Sequence, residues 1–255
     1  MSGGVGLQDM KDIKSIRLFG TRVDVVDTQT TLDTIDGFFS DGKPHMVVTA
    51  DTSCIVIAQS DPELMSIVND ADLVTPDGVG ILWAARRIGV QLKERVSGVD
   101  IVQHLCELGA SCGRRVFLLG AAPGIAEAAG MELEKRCPGL RVVGTHDGFF
   151  TEEESEGIAD TIRGVKPDML FVAMGIPRQE KWIKENLARM GVPVCIGVGG
   201  TFDVISGNVK RAPVWMQKRG LEWVYRVITN PRKIKKVMTL PVFAWMVLTT
   251  KNYGP

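Results

Sequence analysis

The run Leu73-Val-Thr-Pro-Asp-Gly-Val-Gly80, followed by Glu94-Arg-Val-Ser-Gly98, places a carboxylate, Asp77, at a strand-to-helix junction. It also places an arginine, Arg95, just beyond that helix. In α/β proteins ligands gather at the carboxyl ends of strands. An acid there can act as a general base, and a nearby cation can steady a departing anion. The competing reading of Asp77 is an ordinary helix N-cap, which lowers a carboxyl pKa. A lowered pKa spoils a general acid but is tolerable in a base that collects its proton late in the transition state.

Three further clusters have the residue types of a ligand site. Gly197-Val-Gly-Gly200-Thr-Phe-Asp203 follows a strand, and its glycines let a phosphate approach backbone N–H groups. The dinucleotide fingerprint would need a third glycine where Phe202 stands. Asp203 can accept from a ribose or a base, or merely cap the next turn. Gly120-Ala-Ala-Pro-Gly124 ends a second strand, with a plain loop as the alternative. Gly175-Ile-Pro-Arg178-Gln179-Glu180-Lys181 opens a helix, so Arg178 and Gln179 lie near a positive dipole end suited to a diphosphate or sugar hydroxyls. The alternative there is a solvated first turn.

Other chemistries find no support. Asp70-Ala-Asp72 has the D-x-D form of metal-dependent transferases, but its place at a helix end entering a strand argues against a metal site. His45, His104 and His146 lack ligand spacing, and neither Ser53 nor Ser206 sits in a G-x-S-x-G elbow. Neither a metal nor a cofactor is expected. The five cysteines form no CxxC pair, which suits reduced core thiols in a cytosolic protein.

These residues need a scaffold of alternating strands and helices. Apolar, β-branched runs predict strands at 15–19, 23–26, 46–49, 72–75, 115–119, 140–145, 169–173 and 194–197. Helical periods predict helices near 29–39, 52–59, 61–69, 78–88, 98–112, 122–136, 152–164, 178–189 and 213–229. The fold class expected is α/β, a mainly parallel Rossmann-like sheet flanked by helices, with a basic helical C-terminal appendage. Ser97-Gly-Val-Asp100 reads as a capping box that leaves Arg95 in the loop before a helix.

The 255 residues carry no net charge, but the average hides an asymmetry. Residues 1–209 sum to about −9 and residues 210–255 to about +9. The expected division is therefore a catalytic domain over 1–209 and a basic, Trp-rich appendage over 210–255. Trp215, Trp223 and Tyr225 among cations give an interfacial signature, with a docked terminal helix as the bland alternative. The N-terminal stretch to Leu18 has no apolar signal region. Residues 237–250 span only ~21 Å as a helix against roughly 30 Å of hydrocarbon, and Pro241 is expected to interrupt them.

In this order, Pro76-Asp-Gly, Glu94-Arg-Val-Ser-Gly, Gly175-Ile-Pro-Arg-Gln-Glu-Lys, Gly199-Gly-Thr-Phe-Asp and Arg219-Gly-Leu-Glu-Trp-Val-Tyr-Arg226 resemble the bacterial WecG/TagA/CpsF glycosyltransferase family. The resemblance runs from about Leu18 to Lys236. It implies an inverting, metal-independent transfer of N-acetylmannosamine from a UDP-sugar to polyprenyl-diphosphate-linked N-acetylglucosamine. Glucose or a uronic acid is the alternative donor sugar. By the same resemblance Asp77 is the general base, while Arg95 and Gln179 hold donor diphosphate and sugar. Thr49 and Asp51 stand beside the reacting sugars, Asp51 where asparagine is usual. Gly120 and Arg178 are assigned to the substrate site by the strand-end and helix-start readings above, while the resemblance gives Gly199, Gly200 and Asp203 to the nucleoside loop and implies the tail contacts that follow. Arg226, Lys233 and Lys236 meet the lipid diphosphate, the two lysines lacking the arginine fork. The implied location is cytoplasmic, peripheral on the inner face of the plasma membrane. No nucleic-acid partner is expected, and self-association is left open.

Two rivals from other classes share the same residues. One is an NAD-dependent oxidoreductase, which would need the fingerprint the early strands lack. The other is a non-catalytic membrane-surface module built on the tail.

Overall fold

Alternate residues of the central strands are apolar on both sides, so both faces of the sheet must be covered. The computed structural model describes residues 13–213, 215–216, 219, 222–229 and 238–250. The strands are β1 (Ser15–Leu18), β2 (Thr21–Asp24), β3 (His45–Ala50), β4 (Leu73–Pro76), β5 (Arg115–Gly120), β6 (Arg141–His146), β7 (Met169–Ala173) and β8 (Val194–Gly197). The helices are α1 (Thr28–Phe38), α2 (Thr52–Ala58), α3 (Pro62–Asp70), α4 (Val79–Arg87), α5 (Gly98–Cys112), α6 (Ile125–Arg136), α7 (Glu152–Val165), α8 (Arg178–Met190), α9 (Thr201–Ile205), α10 (Glu222–Thr229) and α11 (Thr239–Thr249).

Strands β3 to β8 form one sheet in the order β4-β3-β8-β7-β5-β6, every pair parallel. The alternation divides the core in two. Met46, Val48, Leu170, Val172 and Cys195 meet α2, α3, α4, α7 and α8 on one face. Val47, Met169, Phe171, Val194 and Ile196 meet α1, α5, α6 and α9 on the other. The expected parallel sheet with helices on both faces is thus observed. β1 and β2 form a separate antiparallel hairpin, turned at Phe19 and Gly20, both at positive φ as a tight hairpin requires. The hairpin is fastened to the sheet where Asp24 Oδ2 accepts from the Val74 amide at 2.8 Å.

Some boundaries differ from the sequence reading. α6 begins at Ile125 rather than 122, because Ala121 and Gly124 take left-handed backbone angles that no helix admits. Of the helix expected over 213–229, α10 covers 222–229. Pro241 does not interrupt the last helix. It sits in the first turn of α11, where a missing N–H costs no intrahelical bond. Phe243 and Val247 of α11 are buried in the main core, and Ser53 Oγ lies 3.0 Å from Thr239 Oγ1. No helix among the described residues is long and apolar enough to cross a membrane.

Cys54, Cys106, Cys137 and Cys195 are buried and Cys112 is exposed, with no disulfide among them. Burial pushes the Cys106 and Cys195 thiols far up, which keeps them inert.

Candidate active site

The carboxyl ends of β3, β4, β7 and β8 converge on a cleft of about 460 Å³, counting space open to solvent. Thr49 and Asp51 come from the end of β3, Asp77 from β4, Ser97 and Val99 from the start of α5. Ile176 and Gln179 come from the β7–α8 junction, and Val198, Gly199, Gly200 and Thr201 from the β8–α9 turn. The cleft therefore lies outside the strand ends, where β3 and β8 pair although the chain joins neither to the other directly.

Asp77 is held there by backbone bonds on both sides. Its amide donates to Ala50 O at 2.9 Å, and the Val96 amide donates to Pro76 O at 2.9 Å. The helix that follows it, α4, is capped by Gly78 with no side-chain bond. Asp77 is therefore not the cap of its own helix. Its Oδ2 instead accepts from the Gly98 amide, the first residue of α5, at 3.2 Å. The capping box expected at Ser97 and Asp100 does not form either. Asp100 is held by Arg211, whose Nη1 and Nη2 reach its two oxygens at 2.7 and 2.8 Å, while Ser97 lines the cleft.

Asp51 does cap its helix, accepting from the Cys54 amide at 2.9 Å. A carboxylate at this helix N-terminus is favourable, which accounts for an acid at this position. Thr49 Oγ1 donates to Gly197 O at 2.8 Å and so ties β3 to β8 at the cleft floor.

Gln179 is buried and its amide is engaged through both its oxygen and its nitrogen. Oε1 accepts from the Gly175 and Gly199 amides at 3.1 and 3.0 Å, and Nε2 donates to Glu180 Oε1 at 2.8 Å. The side chain thus buckles the β7–α8 and β8–α9 loops together. Gly197 permits this approach, since a Cβ there would lie 2.7 Å from Gln179 Nε2. The Gly199 amide, expected to face a phosphate, donates to Gln179 instead.

Several expected residues lie off the cleft lining. Arg178 grips the loop after β6, donating to Gly148 O at 2.7 Å and Phe150 O at 3.1 Å, with its guanidinium over the Phe150 ring. Gly120 serves close strand approach, for a Cβ at its positive φ would meet the Ala173 backbone at 2.6 Å. Asp203 accepts from Asn208 Nδ2 at 2.9 Å one turn beyond the glycines. Arg95 Nη1 donates to Glu222 Oε2 of α10 at 2.7 Å. Arg226 falls within α10, and Lys233 and Lys236 lie outside the described residues.

The sequence reading missed Arg211. Hydrogen bonding to Asp100 raises its guanidinium pKa against the effect of burial, and the charges of Glu222 and Asp77 act in the same direction. A fixed cation therefore stands within electrostatic reach of Asp77. The signal available was Lys210-Arg-Ala-Pro213 at the change from acidic to basic composition. It also passed over Phe149, whose ring is 74% exposed in the loop that Arg178 grips. Among the described residues no group of His, Cys, Asp and Glu could hold a metal ion. Asp72 instead accepts from the Met46 amide at 2.8 Å.

Curated relatives share this chain nearly end to end. It is 33% identical over 232 residues to the N-acetylglucosaminyldiphosphoundecaprenol N-acetyl-beta-D-mannosaminyltransferase of Bacillus spizizenii, with 89% of each chain covered. It is 33% identical over 218 residues to the Bacillus subtilis protein of that name, covering 85% of this chain and 84% of the relative. The Staphylococcus aureus protein of that name is 27% identical over 248 residues, covering 96% and 97%. The profile of the glycosyl transferase WecG/TagA/CpsF family matches residues 16–254. With its acid at the tip of β4 and its cleft at the carboxyl edge of a parallel sheet, the chain belongs to that glycosyl transferase family.

Proposed function

We propose that this glycosyl transferase moves N-acetylmannosamine from UDP to a polyprenyl-diphosphate-linked N-acetylglucosamine, with inversion. The observation that carries the reading is the placement of Asp77, an acid held by the first amide of α5 across the cleft floor from the Gly199-Gly200 turn. The relatives' names favour this donor sugar over glucose or a uronic acid. Membership of the family displaces both the oxidoreductase and the purely binding module.

In this mechanism Asp77 takes the proton of the acceptor hydroxyl as its oxygen attacks the anomeric carbon. The bond from that carbon to the UDP oxygen breaks, the configuration inverts, and UDP leaves with the bonding electrons. Thr49, Ser97 and Thr201 give the cleft wall polar atoms for sugar hydroxyls. Gln179 acts by holding the two loops that frame the donor. Arg95 steadies the diphosphate. The β6 end lies three strand spacings from β8, about 14 Å, which is of the order of an extended nucleoside diphosphate. The exposed Phe149 ring at that end supplies a flat face for a base.

The acceptor's lipid requires a membrane surface, and the second unit of the reading, residues 210–255, meets it. Met238 at the N-cap and Val242, Trp245 and Leu248 of α11 are exposed along one stripe, whose opposite side is buried. An eleven-residue helix with such a stripe lies on a bilayer rather than across it. The basic residues Arg232 to Lys236, just before it, suit an anionic inner leaflet and the lipid diphosphate.

The test is turnover of UDP-N-acetylmannosamine with a short-chain lipid-diphosphate N-acetylglucosamine, read by mass spectrometry beside UDP-glucose and a UDP-uronic acid. Transfer restricted to either rival donor would overturn the assignment of the sugar. Transfer from none would overturn the function.

A further inference from the structure

Arg95 stands in a loop held by the side chains before it and by a backbone bond after it. Lys93 Nζ reaches Asp27 Oδ2 at 2.6 Å, and Glu94 Oε1 accepts from the Thr28 amide at 2.8 Å. On the other side the Val96 amide donates to Pro76 O, one residue before Asp77. With the loop so anchored, the direction of the guanidinium depends on what holds the side chain.

What holds it is Glu222. The Arg95 Nη1–Glu222 Oε2 contact is 2.7 Å, and the two side chains are 19% and 9% exposed. A charge-assisted bond so shielded from solvent is stronger than a surface ion pair. The guanidinium is a rigid plane with five N–H donors, so fixing one terminal nitrogen orients the rest. Nη1 is the nitrogen engaged among the described contacts, which leaves Nε and Nη2 as donors for a ligand. Glu222 is also the single acid between Lys210 and Pro255, among ten Lys and Arg. A lone acid beside a diphosphate site would repel the ligand unless a cation neutralised it. Arg95 does so directly, and Arg211 adds its charge from Asp100.

We propose that Glu222 is a positioning residue for the donor diphosphate: it aims the Arg95 guanidinium and so makes the seating of α10 a condition of donor binding. This rests on the reading of the cleft as a UDP-sugar site. A body without α10 keeps Asp77 in place but leaves Arg95 without its guide.

The test is UDP binding by calorimetry to the full-length protein, to Glu222→Ala, Glu222→Gln and Arg95→Ala, and to the Arg95→Ala/Glu222→Ala double variant. Melting temperatures are measured alongside. Glu222→Ala should weaken UDP about tenfold, and Glu222→Gln, which keeps a neutral acceptor, roughly threefold. In the Arg95→Ala background the loss of Glu222 should cost nothing more, because it acts through the guanidinium. Undiminished binding by both Glu222 variants would overturn the proposal, as would losses that multiply in the double variant. A lowered melting temperature with unchanged UDP affinity would do the same, since that is the signature of a purely structural ion pair. Failure of the unaltered protein to bind UDP would overturn the donor-site reading itself, a result distinct from normal wild-type binding with normal variant binding.

Discussion

Asp77 and Gly98 are 21 residues apart in sequence, yet Oδ2 of the first lies 3.2 Å from the amide of the second. The amide is the first of α5, so the positive end of a fifteen-residue helix faces the acid. This contact orients the carboxylate from a backbone group that is fixed by the helix it begins.

Asp77→Asn should lower turnover about 10²- to 10⁴-fold while UDP affinity stays within about twofold of wild type. Asparagine keeps an oxygen for the Gly98 amide, so the melting temperature should hold. Steady-state kinetics beside calorimetry checks this, and near-normal turnover would remove Asp77 as the base.

Gln179→Ala should cost stability as well as activity. It removes the bonds to the Gly175 and Gly199 amides and to Glu180 Oε1, a loss of about 2–4 kcal/mol. Urea denaturation reads it. A residue that only contacted substrate would leave the unfolding midpoint unchanged.

Phe149→Ala should raise the KM for the UDP-sugar about tenfold by removing a stacking face. Its exposure means the fold should not notice the change. Phe149→Tyr should restore the wild-type KM, a pairing that mere loop damage would not reproduce.

Asp61 provides an acid-sensitive contribution to stability. The Leu64 amide and the Lys181 ammonium, 2.9 Å away, hold its carboxyl below the usual range. A depressed folded-state pKa stabilises above the unfolded value of about 4, and the gain disappears as pH falls through the folded value. Asp61→Asn should therefore be less stable than wild type at pH 7, with the gap closing on acidification below about pH 4. Chemical denaturation at several pH values tests the sign.

Trp245→Ser with Leu248→Ser should reduce partition onto anionic vesicles at least tenfold while leaving turnover of a detergent-soluble acceptor intact. Vesicle co-sedimentation gives the first number and the transfer assay the second. Equal partition would place membrane contact elsewhere.

The sheet was legible because strand signals are local. Each central strand carries apolar residues to both faces, and every expected strand is present to within about two residues at either end. The placement of Asp77, Thr49 and the Gly199-Gly200 turn at one edge followed from the parallel order alone. The partners were not legible. Whether an acid before a helix caps that helix or another depends on which N-terminus lies closer in space. Asp51 caps its own, whereas Asp77 serves α5. The capping-box pattern at Ser97 was outcompeted by a long-range bidentate pair, Asp100 with Arg211, from 111 residues away. Gly120 reads as a ligand glycine by position, but its reason is the Ala173 backbone on the neighbouring strand.

The last helix packs its buried side onto α2 and α4. These are the helices that start at the cleft, behind Asp51 and Asp77. If its outer stripe rests on lipid, one helix thickness of about 10 Å separates the bilayer plane from the elements that carry the acid. On that reading the stack of helices would act as a height gauge. It would admit an acceptor whose sugar stands off the membrane by the length of its diphosphate, and leave a sugar bound directly to lipid out of reach.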